Sequence, residues 1–243
     1  MKRGKLVAVD GLDGVGKGVF LNTFVEEAKK DGKRVFDVDA FEKKNGHLPS
    51  PYEIIGQYDL VKTSEPTYSG IGKLIREEYT TKGSNYSPRT VADAYALCRR
   101  ILTEQLSLIL LEAGIDDYRS RAFSAAITFQ RQSALNLGEE LSIAEIMSIP
   151  GNKYCAEHPM DHLVIPTIVD VVEAMNRIAQ RDKDDNCKFE NLNFQLKLKP
   201  HFESEEFKAL FASLGVKLTY MDAGVSKEHS QQQAREFYQQ HLK

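Results

Sequence analysis

The sequence predicts an α/β fold in which helices cover both faces of a parallel β-sheet. Short apolar runs, typical of buried strands, alternate with amphipathic runs at helical spacing along the 243-residue chain. The first alternation is the clearest, because the run KLVAVD at 5–10 leads through a glycine-rich stretch at 11–18 into a helix-forming segment. Parallel strands need crossover helices between them, so this order of elements favours one α/β domain.

Five segments have the apolar, β-branched character of strands. They are residues 5–10, 33–41, 59–63, 162–166 and 216–224. The polar stretch between the second and third of these, 42–57, contains Pro49 and Pro51 and is predicted to be an excursion over the surface.

Helices are predicted between the strands from apolar residues that recur on one helical face. They cover residues 18–32, 69–79, 87–114, 171–181 and 226–242. The segment 87–114 gives the strongest signal, because Ser87 can cap it, Pro88 suits its first turn and Gly114 can end it.

Composition limits the classes of partner. The net charge is −3 and the isoelectric point is about 6.1, so no global basic field attracts nucleic acid or an anionic membrane. No apolar stretch approaches the ~20 residues of a membrane span, and the N-terminal segment lacks the apolar region of a signal peptide. The three cysteines, Cys98, Cys155 and Cys187, have no metal-binding spacing and are expected to be reduced thiols in a cytoplasmic protein.

The stretch GLDGVGKG at 11–18 has the form of a phosphate-binding loop. Its glycines let backbone N–H groups converge on an anion, and the following helix adds the positive end of its dipole. Lys17 supplies a charge that can follow a phosphoryl group during transfer. The alternative is an ordinary glycine-rich turn. The predicted ATP-binding residues are Gly11, Asp13, Gly14, Val15, Gly16, Lys17, Gly18 and Val19.

The loop departs from the usual pattern at Gly18, where a Ser or Thr hydroxyl normally binds Mg²⁺. Val19 does not restore that hydroxyl. Because Mg²⁺ retains several waters and can be coordinated by substrate phosphates, we expect the ion to be held mainly by ATP and water. No protein metal ligand is predicted.

An ordered set of segments resembles thymidylate kinases and related deoxynucleoside-monophosphate kinases. TSEPTYSGIGKLIREE at 63–78 is similar to their T-R-E-P-x-x-x-x-G-x-x-I-R-E segment, and SRAFSAAITFQ at 120–130 to D-R-x-x-x-S-S-x-A-Y-Q. AYALCRR at 94–100 resembles the helix that carries an aromatic residue and an arginine, and 171–190 resembles a helix followed by a mobile lid. Adenylate kinases resemble the chain in having Gly directly after the loop lysine.

The resemblance implies a P-loop NTPase fold with a five-stranded parallel sheet in the order 2-3-1-4-5. It also implies a single domain over 1–243 and a mobile lid near 177–190. The implied reaction transfers the γ-phosphoryl group of ATP, with Mg²⁺, to a deoxynucleoside monophosphate, dTMP being favoured. The alternatives are a kinase for a nucleoside or another monophosphate, and a nucleotide-binding protein with little or no turnover. A homodimer is also implied, although the apolar face of 101–111 can pack on a partner or on the sheet.

Tyr95 and Arg99 share a helical face at i, i+4 spacing. The resemblance implies that the ring stacks on a pyrimidine and that the guanidinium donates to a base carbonyl; core packing is the alternative for Tyr95. It implies that Asp13 accepts from the sugar 3′-hydroxyl, against the alternative of a turn-stabilising aspartate. Glu65 and Pro66 match the E-P pair at the acceptor site.

Arg121 matches the arginine that contacts the acceptor phosphate in the family, with a surface salt bridge as the alternative. Phe129 and Gln130 match its Tyr-Gln pair. Gln130 is expected to hydrogen-bond the base or sugar edge, and Phe129, which lacks the hydroxyl, to pack.

Arg177 and Arg181 lead into the predicted lid. With Gly at position 14, the loop-borne arginine of some relatives is missing, so we expect these two lid-side arginines to stabilise the transferring group. Lys183 and Lys188 would assist. A solvated charged face is the alternative.

Three departures from the family pattern bear on activity. Ser64 replaces a phosphate-contacting arginine, Ser120 replaces the aspartate of the D-R pair, and Ala125 and Ala126 replace two hydroxyl residues. The segment 115–120, IDDYRS, is charged where a central strand should be apolar. Either its acidic pair, Asp116 and Asp117, replaces the missing acid, or the strand is distorted or short.

Overall fold

Six parallel strands form one sheet within residues 2–180 and 187–243, the part of the chain that the computed structural model describes. The strands are β1 (Leu6–Val9), β2 (Val35–Asp37), β3 (Leu60–Ser64), β4 (Asp116–Ser120), β5 (His162–Thr167) and β6 (Lys217–Asp222). Their order is β2-β3-β4-β1-β5-β6, and every neighbouring pair is parallel. The predicted class, a parallel sheet flanked by helices, is confirmed.

The predicted number of five strands is wrong by one. The strand that lies outside the five predicted segments is β4, in the charged segment 115–120. Strand β2, within the predicted 33–41, lies at the edge of the sheet and pairs only with β3 among the described strands. When β2 is set aside, the other five strands, numbered along the chain, have the order 2-3-1-4-5 that the resemblance implied. The sheet is therefore the expected one, extended by a short edge strand.

The predicted strand at 33–41 ends early and continues as a helix. After Asp37 the chain forms α2 (Val38–Asn45), because the Asp37 carboxylate accepts a hydrogen bond from the backbone N–H of Ala40 and caps the helix. A 3₁₀ turn (Pro51–Glu53) follows, and Ile54 is fully buried. The excursion at 42–57 thus contains the end of α2 and a residue that contributes to a core.

The helices alternate with the strands in chain order, and the last helix follows β6. They are α1 (Lys17–Lys30), α2, α3 (Gly70–Leu74), α4 (Pro88–Leu102), α5 (Leu108–Glu112), α6 (Phe123–Ala125), α7 (Arg131–Asn136), α8 (Ile143–Ser148), α9 (Pro150–Glu157), α10 (Val171–Ala179), α11 (Leu192–Glu203), α12 (Glu205–Ser213) and α13 (Lys227–Phe237). A π turn (Thr103–Ser107) joins α4 to α5, so the long helix predicted over 87–114 is present. No helix in the described part of the chain is both long and apolar enough to cross a bilayer.

The apolar face of the long helix packs within the chain. Leu102, Leu106 and Leu110 are fully buried and form a cluster with Ile54 and Val61 of the β2–β3 side of the sheet. The larger core lies around β1, whose four residues are at most 4% exposed. The face of 101–111 that was a candidate for a partner is therefore used to cover the sheet.

The charged segment at 115–120 is a complete strand, neither distorted nor shortened. Tyr118 is fully buried and meets Phe24 of α1 edge to face at 6.3 Å. Asp117 and Arg119, two residues apart, share the opposite face of β4 and form an ion pair at 2.6 Å. Mutual neutralisation is what allows two charged residues to occupy a central strand.

Candidate active site

The loop between β1 and α1 has the backbone geometry that its glycines permit. Gly11, Gly14 and Gly16 have φ of 138°, 76° and 101°, values that other residues rarely adopt. A Cβ at Gly14 would lie 2.1 Å from the carbonyl oxygen of Ala174 in α10. The close approach of α10 therefore requires glycine there and leaves no room for an arginine.

Lys17 begins α1 and folds back over this loop. Its ammonium group donates to the carbonyl oxygens of Gly11 and Leu12 at 3.1 and 2.5 Å, and lies 3.6 Å from the Asp13 carboxylate. The loop thus carries a cation beside a helix N-terminus, the combination that binds phosphate groups.

A cleft of about 1390 Å³ opens above the loop and extends past the ends of β3 and β4. It collects the predicted site residues that the structure describes, apart from Gly11 and Lys188, which do not line it. Those lining it are Asp13, Gly14, Val15, Gly16, Lys17, Gly18, Val19, Glu65, Pro66, Tyr95, Arg99, Arg121, Phe129, Gln130 and Arg177. Residues up to 164 positions apart in sequence, from Asp13 to Arg177, therefore face one space.

Arg121 connects the loop to the other half of the cleft. It has a left-handed backbone, with φ of 67°, and its guanidinium pairs with Asp13 and, at 3.3 Å, with Asp10. Burial acts to lower the pKa of Arg121, but the carboxylates of Asp13 and Asp10 outweigh it and raise the pKa. The guanidinium lies over the ring of Phe129, 4.6 Å from its centroid. A permanent cation is therefore held beside the phosphate loop.

Asp10, which the sequence predicts only as the end of a strand, lies directly before the glycine-rich loop. Its carboxylate is fully buried and accepts from the Gly11 backbone N–H at 2.8 Å, from Ser124 Oγ at 2.5 Å and from Arg121. An acid directly before a glycine-rich loop was the available signal. In this structure Asp10 pairs with the Arg121 guanidinium, whereas Ser120, at the position of the expected acid, lines the cleft.

Asp116 and Asp117 do not replace that acid. Asp116 accepts from the backbone N–H of Lys5 at 2.7 Å and from Lys33 Nζ at 2.6 Å. Asp117 accepts from Thr63 and Arg119, and neither carboxylate lines the cleft.

Arg99 is only 2% exposed and is held within a buried ionic network. Its Nε donates to Glu65 at 2.7 Å and its Nη1 donates to Asn152 at 2.5 Å, while Arg119 donates to the other oxygen of Glu65 at 2.9 Å. The carboxylate of Glu65 thus bridges two arginines at the inner wall of the cleft. Arg99 and Glu65, both predicted to bind the acceptor, thus lie at the wall of the cleft. The hydrogen bond from Arg99 to Glu65 fixes the orientation of the guanidinium.

Tyr95 and Gln130 line the cleft near this wall. Burial raises the pKa of Tyr95, so its hydroxyl stays protonated and can donate. Gln130 is 2% exposed, and its Oε1 has no hydrogen-bond partner among the described residues. A buried amide oxygen without a partner is costly, which favours its use by a ligand. Phe129 packs among Phe189, Phe194 and Phe202.

Arg76 is a cationic residue of the cleft that lies within the segment 63–78 but was not selected from the sequence. Its Nε donates to the carbonyl oxygens of Pro66 and Thr67 at 3.1 and 3.2 Å. Its guanidinium lies 4.0 Å from the ring centroid of Tyr68. Arg76 and Ser64, which stands where the family has an arginine, both line the cleft.

Gln195 of α11 was also missed. Its side chain is fully buried and contacts Asp13 twice, although 182 positions separate the two residues. No local pattern marks it, because a single glutamine in an amphipathic helix is ordinary.

The lid-side residues are placed only in part. Arg177 lines the cleft, where it donates to the carbonyl oxygen of Ala223 at 3.0 Å and pairs with Glu173. Lys188 donates to Ser84 Oγ at 3.0 Å and does not line the cleft. Arg181 and Lys183 lie outside the described residues.

Among the residues that the structure describes, no group of three or more His, Cys, Asp or Glu side chains is arranged to hold a metal ion. A Cβ at Gly18 would meet no described atom within 4 Å, so the position that normally carries a metal-binding hydroxyl faces open space.

Comparison with known proteins gives the fold a name. No protein-family model matches the chain, and no curated protein matches it. Among solved structures, a thymidylate kinase from Candida albicans superposes with a TM-score of 0.64 over 99% of this chain and 93% of that chain, at 18% sequence identity. The chain has the thymidylate kinase-like fold. At this identity the likeness establishes the arrangement of the sheet and helices and no more.

Proposed function

We propose that this protein is a nucleoside-monophosphate kinase that transfers the γ-phosphoryl group of ATP to a deoxynucleoside monophosphate, with dTMP as the favoured acceptor. One observation carries the proposal: the phosphate loop and the predicted acceptor residues line a single cleft. Pockets for one small ligand measure about 300–1,000 Å³. At about 1390 Å³, this cleft is large enough for two ligands placed end to end.

The donor half is built around the loop. Backbone N–H groups at 11–18 and the N-terminus of α1 bind the β- and γ-phosphates, and Lys17 follows the γ-phosphoryl group. The bond between the γ-phosphorus and the oxygen that bridges the β- and γ-phosphates breaks, while an oxygen of the acceptor phosphate forms a bond to the γ-phosphorus. The products are ADP and the nucleoside diphosphate. Arg177 neutralises charge on the donor side. Mg²⁺, held mainly by the nucleotide phosphates and water, supplies further charge neutralisation when bound.

The acceptor half is built from four side chains: an aromatic ring, an amide and two guanidinium groups. Tyr95 offers a ring to the base, and Gln130 offers an unpaired amide oxygen to its edge. Arg121 and Arg76 offer guanidinium groups to the acceptor phosphate, since planar donors suit bidentate contact with phosphate. No general base is needed, because the attacking oxygen already belongs to an ionised phosphate. Catalysis then depends on positioning and on electrostatic stabilisation.

The experiment is a panel of ADP-release assays with ATP, Mg²⁺ and either nucleosides or nucleoside monophosphates. The panel should be broad, because the C. albicans thymidylate kinase is described as having broad substrate specificity. Turnover with dTMP and none with thymidine supports the proposal, whereas turnover with thymidine or only with another monophosphate assigns a different kinase activity. Lys17→Ala should abolish transfer, while Lys29→Ala, an exposed lysine of the same helix, should not.

A second candidate is a nucleotide-binding protein with little turnover. It is favoured by the pairing of Arg121 with two carboxylates and by the absence of a hydroxyl at position 18. Calorimetric binding of ATP without ADP formation on any acceptor would select it. If neither ATP nor ADP binds in the presence of Mg²⁺, both candidates fail.

We also infer that residues 1–243 form one domain, that 177–190 closes over the donor, and that two copies associate through the exposed side of the long helix. Leu97 and Ile101 are 47% and 36% exposed there, large apolar side chains that a partner would cover. Analytical ultracentrifugation of the wild type and of Leu97→Asp tests the association. A monomeric wild type would refute it.

A further inference from the structure

Helix α2 brings two buried carboxylates against the segment 64–69, which forms the acceptor-side rim of the cleft. Asp39 is 6% exposed and Glu42 is 1% exposed. Carboxylates are seldom so buried unless they are paired or fully hydrogen-bonded. Their partners therefore indicate what the helix does.

Glu42 holds two consecutive residues of that rim. Its Oε1 accepts from Ser69 Oγ at 2.5 Å, and its Oε2 accepts from the backbone N–H of Tyr68 at 3.1 Å. Hydrogen bonds to an ionised carboxylate are roughly twice as strong as neutral ones. The single side chain thus fixes both the backbone at 68 and the side chain at 69.

Asp39 holds the other end of the same rim. One of its oxygens accepts from Ser64 Oγ at 2.6 Å, and Ser64 lines the cleft. The other oxygen has no hydrogen-bond partner among the described residues. The two carboxylates, one turn apart on α2, bracket Glu65 and Pro66, which both line the acceptor half of the cleft.

Lys43 adds a third contact from α2. Its ammonium group lies 3.8 Å from the ring centroid of Tyr68, and the guanidinium of Arg76 lies 4.0 Å from the same centroid. Arg76 in turn donates to the carbonyl oxygens of Pro66 and Thr67. Glu42 fixes Tyr68 through the Tyr68 backbone N–H. Because the Tyr68 ring contacts the Arg76 guanidinium, the position of Tyr68 influences where Arg76 lies in the cleft.

We infer that α2 is a positioning element for the acceptor half of the cleft and that Glu42 is its principal positioning residue. Neither Glu42 nor Asp39 lines the cleft. They act through the rim at 64–69 and through Arg76, so they set the affinity for the acceptor and leave the ATP half unchanged. This inference rests on the proposed kinase function for the identity of the acceptor.

The test compares Glu42→Ala with wild type in the same kinetic assay. Glu42→Ala should raise the KM for dTMP about tenfold or more, the change expected when about 1.4 kcal/mol of binding is lost, while the KM for ATP stays within about twofold. Glu42→Gln should restore most of the affinity, because its amide can accept from Tyr68 N–H and donate to Ser69 Oγ. Lys44→Ala, an exposed change on the same helix, should behave as wild type.

Two further measurements separate this inference from the proposed function. Calorimetry measures the binding of dTMP and of ATP without turnover. Even if the protein binds both nucleotides but does not transfer phosphate, Glu42→Ala should weaken the binding of dTMP and leave the binding of ATP unchanged. Ser69→Ala removes the Oε1 contact from the opposite side and should weaken dTMP binding even if Glu42→Ala fails to fold. Equal losses for dTMP and ATP, or no loss for dTMP in either variant, would overturn the inference. The absence of ADP formation with wild type would contradict only the kinase proposal.

Discussion

Gln195 and Asp13 are joined by two hydrogen bonds that tie helix α11 to the phosphate loop. The Gln195 side-chain carbonyl accepts from the Asp13 backbone N–H at 2.9 Å, and the side-chain amide donates to the Asp13 carboxylate at 3.0 Å. The same amide donates to the Phe189 carbonyl oxygen at 3.0 Å. The Asp13 carboxylate also forms an ion pair with Arg121. The Gln195 amide therefore fixes the position of the carboxylate that binds the Arg121 guanidinium.

Replacing Gln195 with Leu should therefore disturb both stability and the donor half of the cleft. The change keeps the side-chain volume but leaves the buried N–H of Asp13 unsatisfied, which costs about 1–3 kcal/mol. Urea denaturation should show that loss, and the KM for ATP should rise because the loop loses a support. Gln105→Leu, at an exposed glutamine, should change stability by less than about 0.5 kcal/mol. Unaltered unfolding of Gln195→Leu would show that the two contacts contribute nothing.

Two glycines of the loop should respond in opposite ways to an added side chain. Gly18→Ser places a hydroxyl in open space at the second residue of α1, so the protein should fold normally. The hydroxyl is the usual Mg²⁺ ligand at this position. Titration of Mg²⁺ in the kinase assay should then reach half-activation at a lower concentration than for wild type.

Gly14→Ala is the matched contrast. Its Cβ would meet the Ala174 carbonyl oxygen at 2.1 Å in a left-handed conformation, so either the loop or α10 must move. We expect a loss of several degrees in Tm and the loss of ATP binding, measured by differential scanning fluorimetry and calorimetry. A Gly14→Ala variant as stable as Gly18→Ser would contradict the packing of α10 on the loop.

The buried network behind Glu65 should be costly to break. Arg119 is 2% exposed and donates to Glu65, Asp117 and Ser107, and the two carboxylates raise its pKa against the effect of burial. Removing one member of a buried ion pair typically costs 3–5 kcal/mol, since the remaining charge is left uncompensated. Arg119→Met should lose stability on this order, about 3 kcal/mol or more.

The control for this prediction is an exposed pair on the long helix. Arg100 and Glu104 are joined at 3.0 Å with both side chains more than 40% exposed, and such pairs contribute about 0–1 kcal/mol. Arg100→Met should therefore change the urea midpoint little. If both variants lost the same free energy of unfolding, the network would have no special role.

Local patterns were sufficient for much of the fold and for half of the site. The apolar run before the glycines, the spacing to Lys17 and the i, i+4 pair Tyr95 and Arg99 are all short-range signals, and the structure places them in one cleft. These features depend on residues that are close in sequence, where periodicity and backbone freedom determine the outcome.

The features that the sequence did not reveal depend on distant partners. The charges of β4 do not indicate a buried strand until Arg119 is matched with Glu65, which follows β3 and lies 54 positions away in sequence. The predicted strand at 33–41 ends early because Asp37 caps a helix that finds its partners in 64–69. A capping residue inside an apolar run is compatible with a strand or a helix, and only tertiary contacts decide between them.

His162 at the start of β5 should make stability depend on pH. Burial lowers the pKa of its imidazole from 6.5 to about 4, with the positive charges of Lys217 and His241 acting in the same direction and Asp161 against them. Its Nδ1 has no hydrogen-bond partner among the described residues, and the ring packs against Phe237 at 5.5 Å.

The sign of this dependence follows from proton binding by each state. Between pH 6.5 and about 4, His162 is protonated in the unfolded chain but not in the folded protein. The free energy of unfolding therefore decreases as the pH falls through this window. After allowance for solvent screening of the exposed neighbours, the loss should be about 1–2 kcal/mol. His162→Phe retains an aromatic ring against Phe237 and removes the titration. Urea denaturation from pH 7 to pH 4 should thus show a shallower decline for His162→Phe than for wild type, whereas His229→Gln, at an exposed histidine, should match wild type. Parallel pH profiles for wild type and His162→Phe would mean that the imidazole is protonated in the folded protein at little cost.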